Sequence, residues 1–148
     1  MEKIKIKVIN GIILFKANID GIEGNLILDT GSVKSTFNLN YFQNHHSCVI
    51  QEKDVCVVKN GQTITQKYKV GNIVIDKLSF NDYEYHNYSA SVLDLNYVEK
   101  PLSSMDNAIK VLGTLGMDFI SKHLITINYK EQYLTIDSNE KIEGRKYN

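Results

Sequence analysis

Apolar and polar side chains alternate along most of this chain, and a period of two marks strands with one face buried. Ile4, Ile6 and Val8 alternate with Lys3, Lys5 and Lys7, which predicts a first strand. Asn10-Gly11 follows, a pair suited to a tight hairpin turn, and residues 12–19 predict the returning strand. Asp20-Gly21 then turns the chain into the apolar run Leu26-Ile27-Leu28, which stops at Asp29-Thr30-Gly31-Ser32. Residues 37–47 mix polar and aromatic positions and predict a helical turn. Further strands are expected over 55–58 and 62–70, joined at Asn60-Gly61, and over 73–75, 78–83 and 88–93.

Residues 94–110 break the alternation. They are polar and hold the only proline, Pro101, so they predict a long surface loop with a helical turn before Val111. Residues 116–120 predict a short helix entered through Gly116. Residues 124–129 and 133–136 predict a last hairpin, turned through Lys130-Glu131-Gln132. The expected architecture is one all-β domain over residues 1–137 with one short C-terminal helix. A polar C-terminal tail is expected over 138–148.

Composition narrows the class. A length of 148 residues fits one compact domain. Seventeen basic side chains balance 17 acidic ones, which argues against nucleic-acid or polybasic membrane binding. No apolar run approaches the roughly 18 residues of a membrane-spanning helix. The start of the chain does not read as a secretory leader, so a cytoplasmic location is the expectation unless a leader has been removed. Cys48 and Cys56 fit neither a disulfide scaffold nor a zinc finger and read as ordinary thiols.

The tetrapeptide Asp29-Thr30-Gly31-Ser32 carries the most chemistry. A carboxylate at the end of an apolar strand, followed by a hydroxyl and a glycine, is presented at a tight turn. There its oxygens accept hydrogen bonds from backbone N–H groups beyond the glycine. All four residues are also turn formers, and alone they fit an ordinary β-turn equally well. A second segment, Gly113-Thr114-Leu115-Gly116-Met117-Asp118-Phe119-Ile120, lies far downstream and leads into the last hairpin.

Together the two segments resemble the retropepsin-like aspartic peptidases, the family of retroviral proteases and their single-domain cellular and bacterial relatives. The resemblance covers roughly residues 8 to 137. It departs from the family pattern at Thr114, where an aliphatic residue is more usual, and in the length of the segment 94–110. It implies a retropepsin-like closed β-barrel and aspartic endopeptidase activity on an extended or unfolded polypeptide. By the same resemblance Asp29 is the catalytic carboxylate and Thr30 braces the two active-site loops. Gly31 lets backbone groups approach, and Ser32 hydrogen-bonds the outer oxygen of Asp29. Asn60, Gly61 and Gln62 form the tip of a flap over the substrate. No cofactor and no metal are implied.

Such peptidases use two carboxylates, one as general base on a water and one as general acid to the scissile carbonyl. This chain has a single Asp-Thr-Gly. Asp20-Gly21 lacks the threonine, and Asp94, Asp106, Asp118 and Asp137 lack a following glycine. One copy makes half a site, so the expectation is a homodimer with one Asp29 from each protomer. Asp118, at the start of a helix, reads instead as a charge favoured by the helix dipole or as a structural hydrogen-bond acceptor.

Other candidates are weaker. His45-His46 read as surface histidines, since neighbours on a strand point to opposite faces. Tyr83, Tyr85, Tyr88 and Tyr97 read as strand-face packing, because no basic surround supports base stacking. A glycosidase would need a second acid in a comparable setting within one chain. A catalytically silent binding or dimerisation module with the same fold is the alternative function.

Overall fold

The computed structural model describes residues 2–137, so the tail expected over 138–148 lies outside the described residues. The first alternating stretch is divided between two sheets. Its first part, β1 (Ile4–Lys5), pairs with the C-terminal strand, while β2 (Lys7–Ile9) pairs with β3 (Ile12–Ile19). Ile6 sits at the changeover, buried, with its N–H donating to the Gln132 carbonyl at 3.1 Å. β3 turns into β4 (Ile22–Leu28) through Asp20-Gly21, and both residues of each two-residue loop so far have positive φ. That geometry matches the twist of the flanking strands.

After β4 come β5 (Thr36–Asn38), a one-turn helix α1 (Leu39–Phe42) and the long hairpin β6 (Val49–Lys59) and β7 (Gln62–Phe80). β8 (Tyr83–Leu93) returns along the second half of β7. The chain reverses at Asn81-Asp82 inside the stretch 78–83 expected to be one strand; Asn81 takes the left-handed φ of 51° that an asparagine tolerates. Helix α2 (Asn96–Met105), β9 (Val111–Leu115), helix α3 (Met117–Lys122) and the hairpin β10 (Ile125–Asn128) and β11 (Tyr133–Ile136) complete the fold.

The large sheet runs in the order β2-β3-β4-β9-β5-β8-β7-β6, and a further pairing of β3 with β7 joins Ile19 to Leu78. This pairing makes a closed ring of β3, β4, β9, β5, β8 and β7, the barrel expected from the sequence. Closure removes sheet edges, and the interior fills with Phe15, Phe37, Phe80, Tyr85 and Phe119. β1, β11 and β10 form a separate three-stranded sheet whose Ile4, Leu134 and Ile136 join the same core.

The segment 94–110 differs from its expectation. It is a ten-residue helix rather than a loop, and Pro101 lies inside it. The apolar spacing of Leu95, Val98 and Leu102 is helical, and it packs on Leu14, Ile27 and Val111 as a second core. α2 thereby covers the outer face of β3, β4 and β9, which explains why Leu26, Ile27 and Leu28 are all buried in consecutive positions. Among the described residues there are three short helices: α3 is the one expected, α1 fills the helical turn expected within 37–47, and α2 is the addition.

This packing gives a test. Leu102→Ala should destabilise the protein by about 2–4 kcal/mol, because a buried cavity opens beneath α2. Tyr97→Ala, at a site 70% exposed on the same helix, should cost under about 0.5 kcal/mol. Urea denaturation of the two variants measures both.

Candidate active site

The site is built where three strands meet. β9 lies between β4, to which it is parallel, and β5, to which it is antiparallel, with Leu28 opposite Leu115 and Phe37 opposite Gly113. The loop 29–35 therefore leaves β4, passes around the end of β9 and returns as β5. This close crossing excludes side chains at two positions. A Cβ on Gly113 would stand 2.6 Å from Phe37 Cδ1, and one on Gly116 would stand 2.7 Å from the Ser32 carbonyl oxygen.

Asp29 is the first residue beyond β4. Its N–H donates to the Leu115 carbonyl at 2.9 Å, continuing the strand pairing by one bond. Its Oδ1 accepts from the Gly31 N–H at 3.0 Å, and its carbonyl oxygen accepts from the Ser32 N–H at 3.2 Å. A Cβ at Gly31 would come 3.3 Å from that Oδ1, so glycine keeps the turn tight. The carboxylate itself is exposed. Ser32 reaches Asp29 through its backbone, while its carbonyl oxygen accepts from the Met117 N–H at 2.7 Å.

The loop is locked from beneath by Ser35 and Asp118. Ser35 is 1% exposed. Its N–H and hydroxyl both donate to the Asp118 carboxylate, at 3.0 and 2.8 Å to Oδ1. The same Ser35 Oγ accepts from the Gly116 N–H and from the Tyr88 hydroxyl, each at 3.1 Å. Asp118 in turn accepts from the Phe119 N–H at 2.9 Å, and its own N–H donates to the Val33 carbonyl at 3.0 Å. Burial pushes the Tyr88 hydroxyl up to about 12, so it stays a donor across the working pH range. Asp118 is thus a structural acceptor at the first turn of α3, as the sequence suggested. Ser35, Tyr88 and Gly116 form the rest of this lock. Nothing in the sequence marked Ser35, since a lone buried serine has no pattern, and Tyr88 read only as strand-face packing.

Beside Asp29 opens a cavity of 460 Å³ that also touches Ser32, Thr36 and Thr114. Its walls are otherwise apolar: Ile12, Ile27 and Leu28 from the barrel, Leu93 and Leu95 from β8 and beyond, and Tyr97 and Val98 from α2. Asp29 is the sole carboxylate among the lining residues. An apolar hollow with one carboxylate at its rim suits an extended apolar chain held against an acid or base. Buried Asn38 positions α2 at the cavity's edge, its side chain donating to the Val111 carbonyl at 2.9 Å and accepting from the Leu95 N–H at 3.3 Å.

The remaining residues singled out in the sequence lie apart. Asn60 and Gly61 form the tip of the β6–β7 hairpin, with φ of 51° and 76°, and Gln62 starts β7 opposite Lys59. All three are exposed and none lines the Asp29 cavity. Thr30 is exposed at the outer end of the active-site loop. Tyr83 and Tyr85 are buried packing residues, whereas Tyr97 is exposed on α2 rather than on a strand. Cys48 is half-buried and Cys56 exposed, both as free thiols. His45 and His46 follow α1 in a turn, not a strand, and their rings stack on one another instead of facing apart. The His45 side chain is only 9% exposed, so it is not the surface histidine that alternation implied.

Comparison with known proteins agrees with this architecture. The chain is similar along 93% of its length to a retropepsin-like aspartic protease from Rickettsia conorii, at 14% identity and a TM-score of 0.55, covering 91% of that chain. It is similar along 85% of its length to the retroviral protease-like domain of Ddi1 from Leishmania major, at 16% identity and a TM-score of 0.51, covering 88% of that chain. A search of curated proteins finds no significant match. Residues 15–119 match the sequence model of the aspartyl proteases. That span contains the Asp29 motif, the second segment as far as Phe119 and the lock between them, and the chain belongs to the aspartyl protease family, with a retropepsin-like fold.

Proposed function

We propose that this chain is one half of a homodimeric aspartic endopeptidase, with Asp29 of each protomer facing the other across a two-fold axis. The observation that carries the reading is the setting of Asp29. Its carboxylate is held by the Gly31 N–H, left exposed, and placed at the rim of an apolar hollow that holds no second acid. Everything a dyad requires is present once.

The mechanism follows from that arrangement. One Asp29, ionised, takes a proton from a water positioned between the pair, and the water oxygen adds to the scissile carbonyl carbon. The other, protonated, gives its proton to the carbonyl oxygen, leaving a neutral tetrahedral diol. Collapse breaks the C–N bond: the second Asp29, now ionised, takes a proton from one diol hydroxyl as the first gives the proton it took from water to the leaving amine. Gly31 fixes the inner carboxylate oxygen. Thr30 and Ser32 brace the facing loops, Thr30 through its hydroxyl and Ser32 toward the outer oxygen. The exposed β6–β7 hairpin closes as a flap, its tip Asn60, Gly61 and Gln62 covering the substrate backbone and excluding water. The substrate is an extended peptide or an unfolded protein, lying strand-like with alternate side chains in the apolar hollow.

Ser35 and Asp118 are positioning residues in this scheme. They touch no reacting atom but hold the turn that carries Asp29.

Asp29→Asn should lower cleavage of an unfolded protein by roughly 10³-fold or more at pH 4 to 7, while sedimentation still shows the dimer. Persistent cleavage by this variant would remove Asp29 from the chemistry. No cleavage at any pH by wild-type protein that sediments as a dimer at high concentration would leave the silent binding or dimerisation module. Mixing equal amounts of wild type and Asp29→Asn, with exchange allowed, tests the shared site. Activity should fall to about a quarter of the wild-type value at the same total concentration, since only wild-type pairs carry both acids. A chain acting alone would keep about half.

Ser35→Ala leaves the Gly116 N–H and the Tyr88 hydroxyl without their partner and removes one of three donors to Asp118 Oδ1. Stability should drop by about 1–3 kcal/mol. The turnover number should fall while the pH profile keeps its shape, which separates a positioning role from a reacting one.

A further inference from the structure

Far from Asp29, three side chains of metal-binding type converge. The ligand atoms of His45, His46 and Asp76 all lie within 4.8 Å of one another. A fourth group, Asp20, adjoins them. The four come from three separate parts of the chain: the β3–β4 turn, the turn after α1, and β7.

The geometry is specific. His46 Nε2 stands 2.6 Å from Asp76 Oδ2. His45 Nε2 stands 2.7 Å from Asp20 Oδ2 and 3.8 Å from Asp76 Oδ2. The two imidazoles stack with centroids 4.4 Å apart and planes inclined by 28°. Metal–ligand bonds of about 2.0–2.2 Å in a tetrahedral shell put neighbouring donors roughly 3.3 Å apart. The spacings here fall on both sides of that value, so small side-chain rotations suffice.

The surroundings orient the donors. Asp20 is fixed by backbone, its Oδ1 accepting from the Lys77 N–H at 2.6 Å and its Oδ2 from the Asp76 N–H at 3.1 Å. His45 Nδ1 accepts from the Ser47 N–H at 3.2 Å and lies 2.9 Å from Ser47 Oγ, which is itself held by the Val74 carbonyl and N–H. These contacts fix the ring with Nε2 aimed at the Asp20 and Asp76 carboxylates. A single divalent ion taking up both inward-facing nitrogens would serve both rings and both carboxylates at once.

We propose that His45, His46 and Asp76 bind a divalent transition-metal ion of the zinc type, with Asp20 closing the shell on the His45 side. His46 and Asp76 are 69% and 55% exposed, which provides an entry path, whereas His45 and Asp20 form the closed floor at 9% and 14%. The ion ties the turn that launches β6 to β7 and to the β3–β4 turn. It is a staple at the base of the long hairpin, and it does not rest on the peptidase reading.

Zinc titrated into untagged, metal-free wild-type protein at pH 7.5 should bind at about one equivalent per chain, with micromolar or tighter affinity by calorimetry. The Asp29→Asn variant should bind identically. Cobalt should give the strong visible absorption of a four-coordinate site. His46→Ala and Asp76→Asn, both at exposed positions, should each weaken binding at least about tenfold. They should also abolish the rise in Tm that zinc gives the wild type. His86→Ala, at the other exposed histidine, should bind as the wild type does. No saturable binding up to about 1 mM metal would overturn the proposal and leave two proton-bridged ion pairs. Undiminished binding by a His45→Ala/His46→Ala double variant would overturn it as well.

Discussion

The placing of Asp29 depends on one hydrogen-bonded pair. Ser35 and Asp118 meet beneath the loop 29–35 and join the two halves of the chain, one on either side of the β6–β7 hairpin. Ser35 is buried and Asp118 is exposed, and their contact satisfies a backbone N–H, a hydroxyl and a carboxylate in one place. It also fixes the depth at which the loop crosses the end of β9, where Gly113 and Gly116 leave no room for a Cβ. Without that lock the turn bearing Asp29 would be an ordinary exposed loop, free to sample conformations in which the Gly31 N–H and the carboxylate part company.

Much of this was legible in the sequence, for definite reasons. The hairpin turns at Asn10-Gly11, Asp20-Gly21 and Asn60-Gly61 all stand where the residues predicted, because positive φ is costly for most side chains and cheap for these. The last hairpin and the helix after Gly116 were equally local signals. Helix α2 was hidden because its content is mostly polar and its proline argues for a loop, while only Leu95, Val98 and Leu102 betray its buried stripe. The turn at Asn81-Asp82 was hidden because apolar residues flank it closely on both sides. The split of the first strand between two sheets was beyond reach, since alternation says which face is buried but not which neighbour pairs.

The site divides in the same way. Asp29, Thr30, Gly31 and Ser32 were visible because a carboxylate, a hydroxyl and a glycine in that order have few uses together. The roles of Ser35 and Tyr88 were invisible because they are set by what lies across the fold, Gly116 and Asp118 for one and Ser35 for the other. His46 is exposed as expected, but His45 was misjudged by the strand rule. A turn lets neighbouring side chains lie on the same side, and here they stack beside Asp20 of the β3–β4 turn and Asp76 of β7.

The barrel closes on itself and buries its apolar interior within one chain, so folding does not require a partner for its core. The proposed reaction does require one, because acid and base must act in the same event and the hollow beside Asp29 supplies a single carboxylate. On that proposal the two demands are separate: stability would belong to the protomer and catalysis to the pair. Activity would then follow the square of protomer concentration at low occupancy of the dimer, and a modest change in concentration would become a large change in cleavage. The same separation would let the proposed ion at the base of the β6–β7 hairpin act on that hairpin without touching Asp29.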